Sequence, residues 1–174
     1  WQTMWAGYDD YLDKATKGTL TNLAAGANMG TSGVPSDELA GPARIAPLVA
    51  FFADVSEEAL VAAAVEQTVL THRSPEAIEA AEFLARASYR LLHGAELKAT
   101  IRELAPAWAL NAAEKVMPLP SVEAIGQLGR ACPLPQALPG VIYLALKHGD
   151  HLETAFIENA MAGGDNCARA LALG

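Results

Sequence analysis

Apolar residues recur at intervals of three and four along most of the chain, and this spacing predicts α-helices. The clearest start is at residues 74–76 (SPE), where a serine cap, a proline and an acid precede an apolar run that extends to His93. Further helices are predicted over residues 6–24, 57–71, 97–104, 108–116, 141–148 and 152–161. No segment alternates apolar and polar residues with the period of two that a strand requires. The pattern therefore predicts an all-α chain of about nine helical segments.

Two segments interrupt this pattern. Residues 27–43 are rich in Gly, Ser, Pro, Asn and Asp, and they predict a loop of about 15 residues. Loops this long inside compact domains are often functional, but a solvated Ω-loop has the same composition, and both interpretations stay open. Residues 132–140 (CPLPQALPG) contain three prolines, so we expect neither regular helix nor central strand there.

A glycine turn near the C-terminal end of the chain carries the first candidate chemistry. Gly163 and Gly164 follow an apolar helical run and supply the positive φ that a helix end needs. Asp165 then stands where a helix cap belongs, before a second helical run. The pattern thus places a carboxylate on a tight turn at the positive end of a helix, where an ion or a phosphate could bind. A purely structural cap has the same sequence, so both interpretations stay open.

Composition and charge exclude several classes of function. The chain is 52% apolar but only 6% aromatic, which suits closely packed helices. Its formal charge of −8, from 12 basic and 20 acidic residues, leaves no basic footprint for nucleic acid. No apolar run approaches the ~20 residues of a membrane span, so no membrane association is predicted. Cys132 and Cys167 lack the spacing of a zinc site or a disulfide framework, which favours a soluble protein of a reducing compartment, cytoplasmic or organellar.

Two further residues are candidates for binding. His72 lies between a helix end and the Ser74 cap, where a histidine serves either as a packing residue or as a functional group. Arg44 follows the glycine-rich loop directly. That loop contains neither a Walker A sequence nor a GxGxxG fingerprint, so the loop alone is weak evidence for a phosphate site.

Four motifs occur in an order that resembles a known family. They are residues 41–48 (GPARIAPL), 70–72 (LTH), 139–143 (PGVIY) and 163–165 (GGD). Together they resemble the C-terminal two-thirds of the ADP-ribosylglycohydrolase (DraG-like) family. The resemblance covers nearly the whole chain. The ending Gly-Gly-Asp-Asn-Cys before an arginine is most similar to a divergent branch, to which jellyfish lens crystallins and selenoprotein J are similar. A start at Trp1 and a stop inside a helical pattern at Gly174 are interpreted as the limits of a C-terminal fragment.

The resemblance implies an orthogonal multi-helix bundle with a two-magnesium site, which hydrolyses the glycosidic bond between ADP-ribose and an acceptor side chain. Asp165 matches the first aspartate of the family's Gly-Asp-x-Asp-Thr/Ser motif and is the implied catalytic and metal-binding residue. Cys167 stands at the second aspartate of that motif, and Ala168 at its hydroxyl ligand. The family's N-terminal Thr-Asp-Asp motif is not in this sequence.

The resemblance also implies a substrate site. Gly41, Arg44 and His72 match segments of the family that contact ADP-ribose. Mg²⁺ demands hard oxygen ligands, which Cys167 does not offer. Arg169 lies four residues after Asp165, so we hypothesise that the two pair on one helical face and that the guanidinium replaces the charge of a metal ion.

Three functions remain open from the sequence. The first is a hydrolase of ADP-ribosyl or related nucleotide-ribosyl bonds with a degenerate Mg²⁺ site. The second is an inactive relative kept as a structural protein with an assembly partner. The third is a module that binds ADP-ribose without cleaving it.

Overall fold

The chain folds as an all-α protein, as the sequence predicts. The structure is a computed structural model that describes residues 2–5 and 7–174; Trp1, and Ala6 at the start of the predicted 6–24 helix, lie outside the described residues. In the described part, 67% of the chain is helical and the only strand-like pairings are two isolated bridges. None of the helices described there is long and apolar enough to cross a membrane.

Ten α-helices and two 3-10 helices make up the described chain. The 3-10 helices span Gln2–Trp5 and Pro42–Ile45. The α-helices are α1 Lys14–Ala24, α2 Ala46–Phe52, α3 Glu57–Val69, α4 Pro75–Leu92, α5 Leu97–Leu104, α6 Ala107–Lys115, α7 Ser121–Leu128, α8 Leu134–His148, α9 Leu152–Ala162 and α10 Asn166–Leu173.

Helix α8 is the centre of the core. It packs against α4, α5, α6, α7, α9 and α10, and ten of its residues are buried. Helix α3 packs along α4, and this pair also contacts the 3-10 helix Pro42–Ile45. Many of the buried positions are alanines, such as Ala80, Ala109 and Ala137. Small side chains let helix backbones approach closely, which explains how a chain with few aromatic residues still closes its core.

The expectation that residues 132–140 cannot be helical is wrong, because α8 begins at Leu134 and runs through them. Pro135 lies in the first turn, where its missing N–H would have no helical partner in any case. Pro139 removes only the bond to the carbonyl of Pro135, at the start of the helix. Buried packing along the rest of α8 outweighs that loss.

Helix α1 begins at Lys14 and not at residue 6, because Asp13 caps it. The Asp13 carboxylate accepts hydrogen bonds from the Thr16 backbone N–H at 2.8 Å and from the Thr16 hydroxyl at 2.5 Å. An aspartate that satisfies the free N–H groups of a first turn fixes the helix start at the next residue. The cap places the Asp13 carboxylate at one end of α1, facing the loop that follows this helix.

The predicted loop, residues 25–41 in the structure, is fixed at two points. Val34 forms a parallel bridge with His72, between α3 and α4, and Glu38 forms an antiparallel bridge with Pro133, just before α8. The side chain of Leu39 is fully buried in the core. The loop is therefore a packed part of the fold and brings three distant segments of the chain together.

Candidate functional site

The two bridges assemble a cluster of three ionisable side chains. One oxygen of Asp13, one oxygen of Glu38 and one ring nitrogen of His72 all lie within 4.8 Å of one another. Asp13 caps α1, Glu38 lies at the second bridge and His72 at the first. Asp13 and Glu38 are half-buried, whereas only 2% of His72 is exposed. We call these three residues the acid–histidine cluster.

His72 is neutral at physiological pH. Its pKa is lowered to about 4, first by burial and then by the positive charge of Arg44, while the negative charge of Asp13 acts in the opposite direction. Its Nδ1 atom lies 2.8 Å from the hydroxyl of Thr71. Its Nε2 atom is buried and has no hydrogen-bond partner in the described structure. One side of the ring is thus held by the protein, and the other side is left without a partner.

The three residues predicted to bind substrate lie together at this cluster. The Nη2 atom of Arg44 donates to Thr71 Oγ1 at 2.7 Å, and Thr71 is the residue that holds His72. Arg44 Nε also donates a long bond, 3.5 Å, to the carbonyl of Gly41. A Cβ atom at position 41 would lie 2.5 Å from Cγ of His72, so only glycine fits beside the ring. That these residues bind substrate stays a prediction.

Each carboxylate of the cluster has a second partner. Burial opposes ionisation of Asp13, but the two hydrogen bonds from Thr16 act against it, and the pKa of Asp13 is lowered. The Sγ atom of Cys132 donates to Glu38 Oε1 at 3.6 Å. Burial and the charge of Glu38 raise the pKa of Cys132, so this residue is a protonated thiol at neutral pH. Both acids are oriented by neighbours.

The glycine turn before α10 has the predicted geometry. Gly163 and Gly164 have φ values of 71° and 69°, and Asp165 caps α10 by accepting from the backbone N–H of Ala168 at 3.3 Å. The backbone N–H of Asp165 donates to the carbonyl of Arg130 at 2.8 Å. The side chain of Asp165 therefore acts as a structural cap in this structure.

The positions implied as magnesium ligands do not form a magnesium site by themselves. Cys167 is exposed, and its nearest partner is Asn166 Oδ1 at 3.6 Å. Ala168 is a buried methyl group with no ligand atom. Asp165 alone supplies one hard oxygen donor, and near-octahedral Mg²⁺ coordination needs several. Asp165 is also not a member of the acid–histidine cluster.

The hypothesis that Arg169 pairs with Asp165 is wrong. Arg169 is fully buried; its Nε atom donates to Asn159 Oδ1 at 2.8 Å, and its Nη2 atom donates to the carbonyl of Gly163 at 2.5 Å. Among the described residues, no ion pair within 4.0 Å joins it to Asp165. Burial lowers the pKa of Arg169 and the charge of Asp165 acts against this, so the two interact only at longer range. The four-residue spacing is correct, but the guanidinium turns towards the end of α9.

Sequence patterns missed two members of the cluster. Asp13 stands three residues before Thr16, a capping arrangement that was hidden inside a longer apolar pattern. Glu38 was one of several polar residues in the predicted loop. Neither residue carries a local signal of function, because the cluster brings together three segments that are distant in the sequence.

Comparison with known proteins now identifies the family. A family model described as ADP-ribosylglycohydrolase matches residues 1–174. The chain belongs to the ADP-ribosylglycohydrolase family. A comparison with curated proteins gives no match, and neither does a comparison with solved structures. That the chain forms the C-terminal two-thirds of a longer domain stays a prediction.

Membership of the ADP-ribosylglycohydrolase family gives the chain a hydrolase-like function in general, and the family is typically metal-dependent. In the described residues, the group that could hold a metal ion is the acid–histidine cluster, not the turn at Asp165. The fold agrees with the family, since the described chain is predominantly helical.

Proposed function

We propose that this protein hydrolyses the glycosidic bond of an ADP-ribosyl or related nucleotide-ribosyl group. The observation that supports the proposal best is the convergence of Gly41, Arg44 and His72 beside two carboxylates. These residues come from two separate segments of the chain, and the family resemblance suggested each of them. Their common location is the reason to propose this cluster as the binding place of a nucleotide-sugar ligand.

In the proposed complex, Arg44 is the contact for the diphosphate. Its side chain is exposed, so the guanidinium can form charge-assisted bonds with a phosphate while the chain as a whole is acidic. Gly41 is buried and leaves room for the His72 ring beside Arg44, so its proposed part is to shape the site. His72 is neutral, so it adds no charge beside the ligand.

Glycosidic hydrolysis needs a carboxylate that positions or activates water, and negative charge that stabilises the developing oxocarbenium ion. Asp165 is the proposed catalytic carboxylate, by its match to the family motif. Its Oδ1 atom accepts the capping bond from Ala168, which leaves the second carboxylate oxygen available to an ADP-ribosyl group. Mg²⁺ is the cofactor that the resemblance implies, and Asp165 would be its ligand at this turn; Cys167 and Ala168 do not complete a site for it.

An inactive relative is the alternative, either as an ADP-ribose-binding module or as a structural protein with an assembly partner. The observation that favours it is the use of the Asp165 carboxylate as a helix cap. A carboxylate held by a backbone N–H, with a thiol and a methyl group at the neighbouring motif positions, is a weakened catalytic site.

Calorimetric titration with ADP-ribose and hydrolysis of an ADP-ribosylated protein, each with and without Mg²⁺, separate these functions. Arg44→Gln should weaken ADP-ribose binding about tenfold or more, because a charge-assisted bond is lost. Arg102→Gln is the matched control, since Arg102 is exposed and its ion-pair partner Glu114 lies on α6, away from this loop. Asparagine caps a helix as well as aspartate, so Asp165→Asn should abolish hydrolysis and leave binding and folding unchanged.

The wild-type outcomes decide between the functions. Hydrolysis that Asp165→Asn removes supports the enzyme. ADP-ribose binding without hydrolysis supports the binding module. If ADP-ribose does not bind at all, the hydrolase and the binding module are both wrong, and the structural protein is favoured.

A further inference from the structure

The Nε2 nitrogen of His72 has no hydrogen-bond partner in the described structure. Nε2 is buried, and an unsatisfied buried polar atom costs about 1–3 kcal/mol. Native proteins avoid this cost, so such an atom in a buried ring calls for a bound water or ion as its partner. Nδ1 is already held by Thr71, which leaves Nε2 as the free position of this ring.

The surroundings of the ring are those of a cation site. Oxygens of Asp13 and Glu38 lie within 4.8 Å of a His72 ring nitrogen and of each other. Nitrogen and carboxylate ligands lie about 2.0–2.2 Å from an ion such as Zn²⁺, so neighbouring ligands of a tetrahedral site are about 3.4 Å apart. Small side-chain rotations therefore bring the three donor atoms to coordination distance. Two carboxylates also balance the charge of a divalent ion.

Each of the three donor side chains has a hydrogen bond to a residue outside the cluster. Thr71 holds Nδ1 of His72, Thr16 holds Asp13, and Cys132 holds Glu38. Metal-binding histidines typically donate their second ring N–H to a neighbouring oxygen, which turns the free lone pair towards the ion. When Nδ1 carries the proton, Thr71 plays this part for His72. The hydroxyl of Thr71 is fixed in turn by Arg44.

We propose that Asp13, Glu38 and His72 bind one divalent first-row transition-metal ion, such as Zn²⁺ or Mn²⁺. One imidazole nitrogen and two carboxylate oxygens suit these ions better than Mg²⁺, which prefers oxygen ligands alone. The site is separate from the Asp165 turn, and it stands whether or not the protein hydrolyses ADP-ribosyl bonds. The ion ties the start of α1 to the loop and to the segment between α3 and α4.

The test is direct metal binding by the intact protein after removal of metals with a chelator. Titration calorimetry with ZnCl₂, MnCl₂ and MgCl₂ should give one tight site for Zn²⁺ or Mn²⁺ and an affinity for Mg²⁺ about tenfold lower or weaker. With Co²⁺, the visible absorption bands should report nitrogen and oxygen ligands without a thiolate charge-transfer band. Absence of binding, or Mg²⁺ binding as tight as that of Zn²⁺ and Mn²⁺, would overturn the proposal.

Isosteric variants identify the residues that bind the ion. Glu38→Gln and Asp13→Asn should each weaken Zn²⁺ or Mn²⁺ binding about tenfold or more, and asparagine keeps the cap of α1. Glu79→Gln and Asp10→Asn are the controls, since both residues lie outside the cluster, and they should bind as the wild type does. Circular dichroism melting checks that every variant is folded. If Glu38→Gln binds with unchanged affinity, or if Asp165→Asn alone removes the site, the assignment is wrong.

A third pair of variants tests the ring itself. His72→Gln should lose the tight site, whereas His151→Gln, which changes an exposed histidine, should keep it. If His72→Gln fails to fold, Glu38→Gln decides the question instead, because Glu38 is half-buried in the loop and tolerates an isosteric change better.

Discussion

Gly41 and His72 are in contact so close that a side chain at position 41 has no room. A Cβ atom there would lie 2.5 Å from Cγ and 2.8 Å from Nδ1 of the imidazole. The backbone of Gly41 has an ordinary φ of −64°, so contact, and not conformation, is what requires glycine. The start of the 3-10 helix that carries Arg44 is thus packed directly against the ring of His72.

Gly41→Ala should displace the His72 ring and break its bond to Thr71. We expect a loss of about 1–3 kcal/mol in the free energy of unfolding, as for an overpacked buried site. The variant should also lose the proposed metal and ADP-ribose binding. Chemical denaturation and titration calorimetry measure the two effects.

Gly126→Ala is its matched control. Gly126 is exposed in α7, and a Cβ atom there meets only the flexible end of Arg130, at 3.1 Å. Alanine is the better helix former, so this change should be neutral or stabilising by up to about 1 kcal/mol. Equal stability loss in both variants would contradict the contact explanation for Gly41.

Arg169 should be needed for its shape as well as its charge. Arg169→Ala leaves Asn159 Oδ1 and the carbonyl of Gly163 without a donor and creates a cavity, with an expected loss of about 3 kcal/mol. Arg169→Lys should lose nearly as much, because one ammonium group does not reproduce the planar fork of a guanidinium.

Denaturation of both Arg169 variants gives the comparison, with Arg102→Ala as the exposed control, expected within about 0.5 kcal/mol of the wild type. Full rescue by lysine would instead favour the hypothesis that Arg169 serves only as a positive charge near Asp165.

The glycine pair before α10 offers a comparison at matched φ. Both residues lie in the left-handed region, but a Cβ atom at Gly163 meets nothing within 4 Å, whereas one at Gly164 lies 2.3 Å from the carbonyl of Arg130. Gly163→Ala should cost about 1 kcal/mol from backbone strain alone. Gly164→Ala should cost about 3 kcal/mol and disturb the bond from Asp165 to Arg130. Urea denaturation of the two variants side by side decides this, and equal costs would contradict the contact.

Glu57 should make stability depend on pH. The hydrogen bond from Arg90 at 3.1 Å is the main cause that lowers the pKa of Glu57 in the folded state; burial acts against it, and the bond from Arg86 at 2.7 Å lowers the pKa further. A carboxyl whose pKa is lowered on folding stabilises the protein above its ordinary pKa of about 4.5. That contribution is lost as the pH falls through the lower, folded-state pKa.

Glu57→Gln should therefore lose about 1 kcal/mol at pH 7 and progressively less as the pH falls below 4.5, because the partly exposed arginines limit the strength of the pair. Glu58→Gln controls for the effect on the helix dipole, since Glu58 occupies the same first turn of α3. Denaturation midpoints at pH 7 and at a pH below 4.5 measure the difference. A loss of stability that persists at the acidic pH would exclude the ion pair as its cause.

Local sequence predicted the helices well where the first turn carries its own signal. Ser74 caps α4 by accepting from the N–H of Ala77 at 3.0 Å, and Ser56 caps α3 in the same way. The prediction failed at residues 132–140, where burial of α8 outweighed the prolines. It also failed at α1, where the apolar spacing ran past the Asp13 cap.

The candidate site was only partly visible in the sequence, for a physical reason. Gly41, Arg44 and His72 belong to motifs, so a family pattern could suggest them. Glu38 joins them through long-range backbone pairing and Asp13 through its position at the cap of α1, and neither arrangement leaves a periodic signal. The partners of Arg169 lie on the preceding helix and turn, and a spacing rule that considers one helix alone pointed to Asp165 instead.

The backbone pairing of the loop makes the integrity of the site measurable at single amides. Val34 N–H donates to Thr71 O, Leu39 N–H to Cys132 O, and Leu134 N–H to Asp37 O. In deuterated water we expect these amides to exchange when the loop detaches. Their protection factors therefore report the free energy of separating the loop from the segments around Thr71 and Cys132. Leu134 is also the first residue of α8. Opening of the site is therefore coupled to fraying of the central helix, and a bound ligand should slow exchange at both places together.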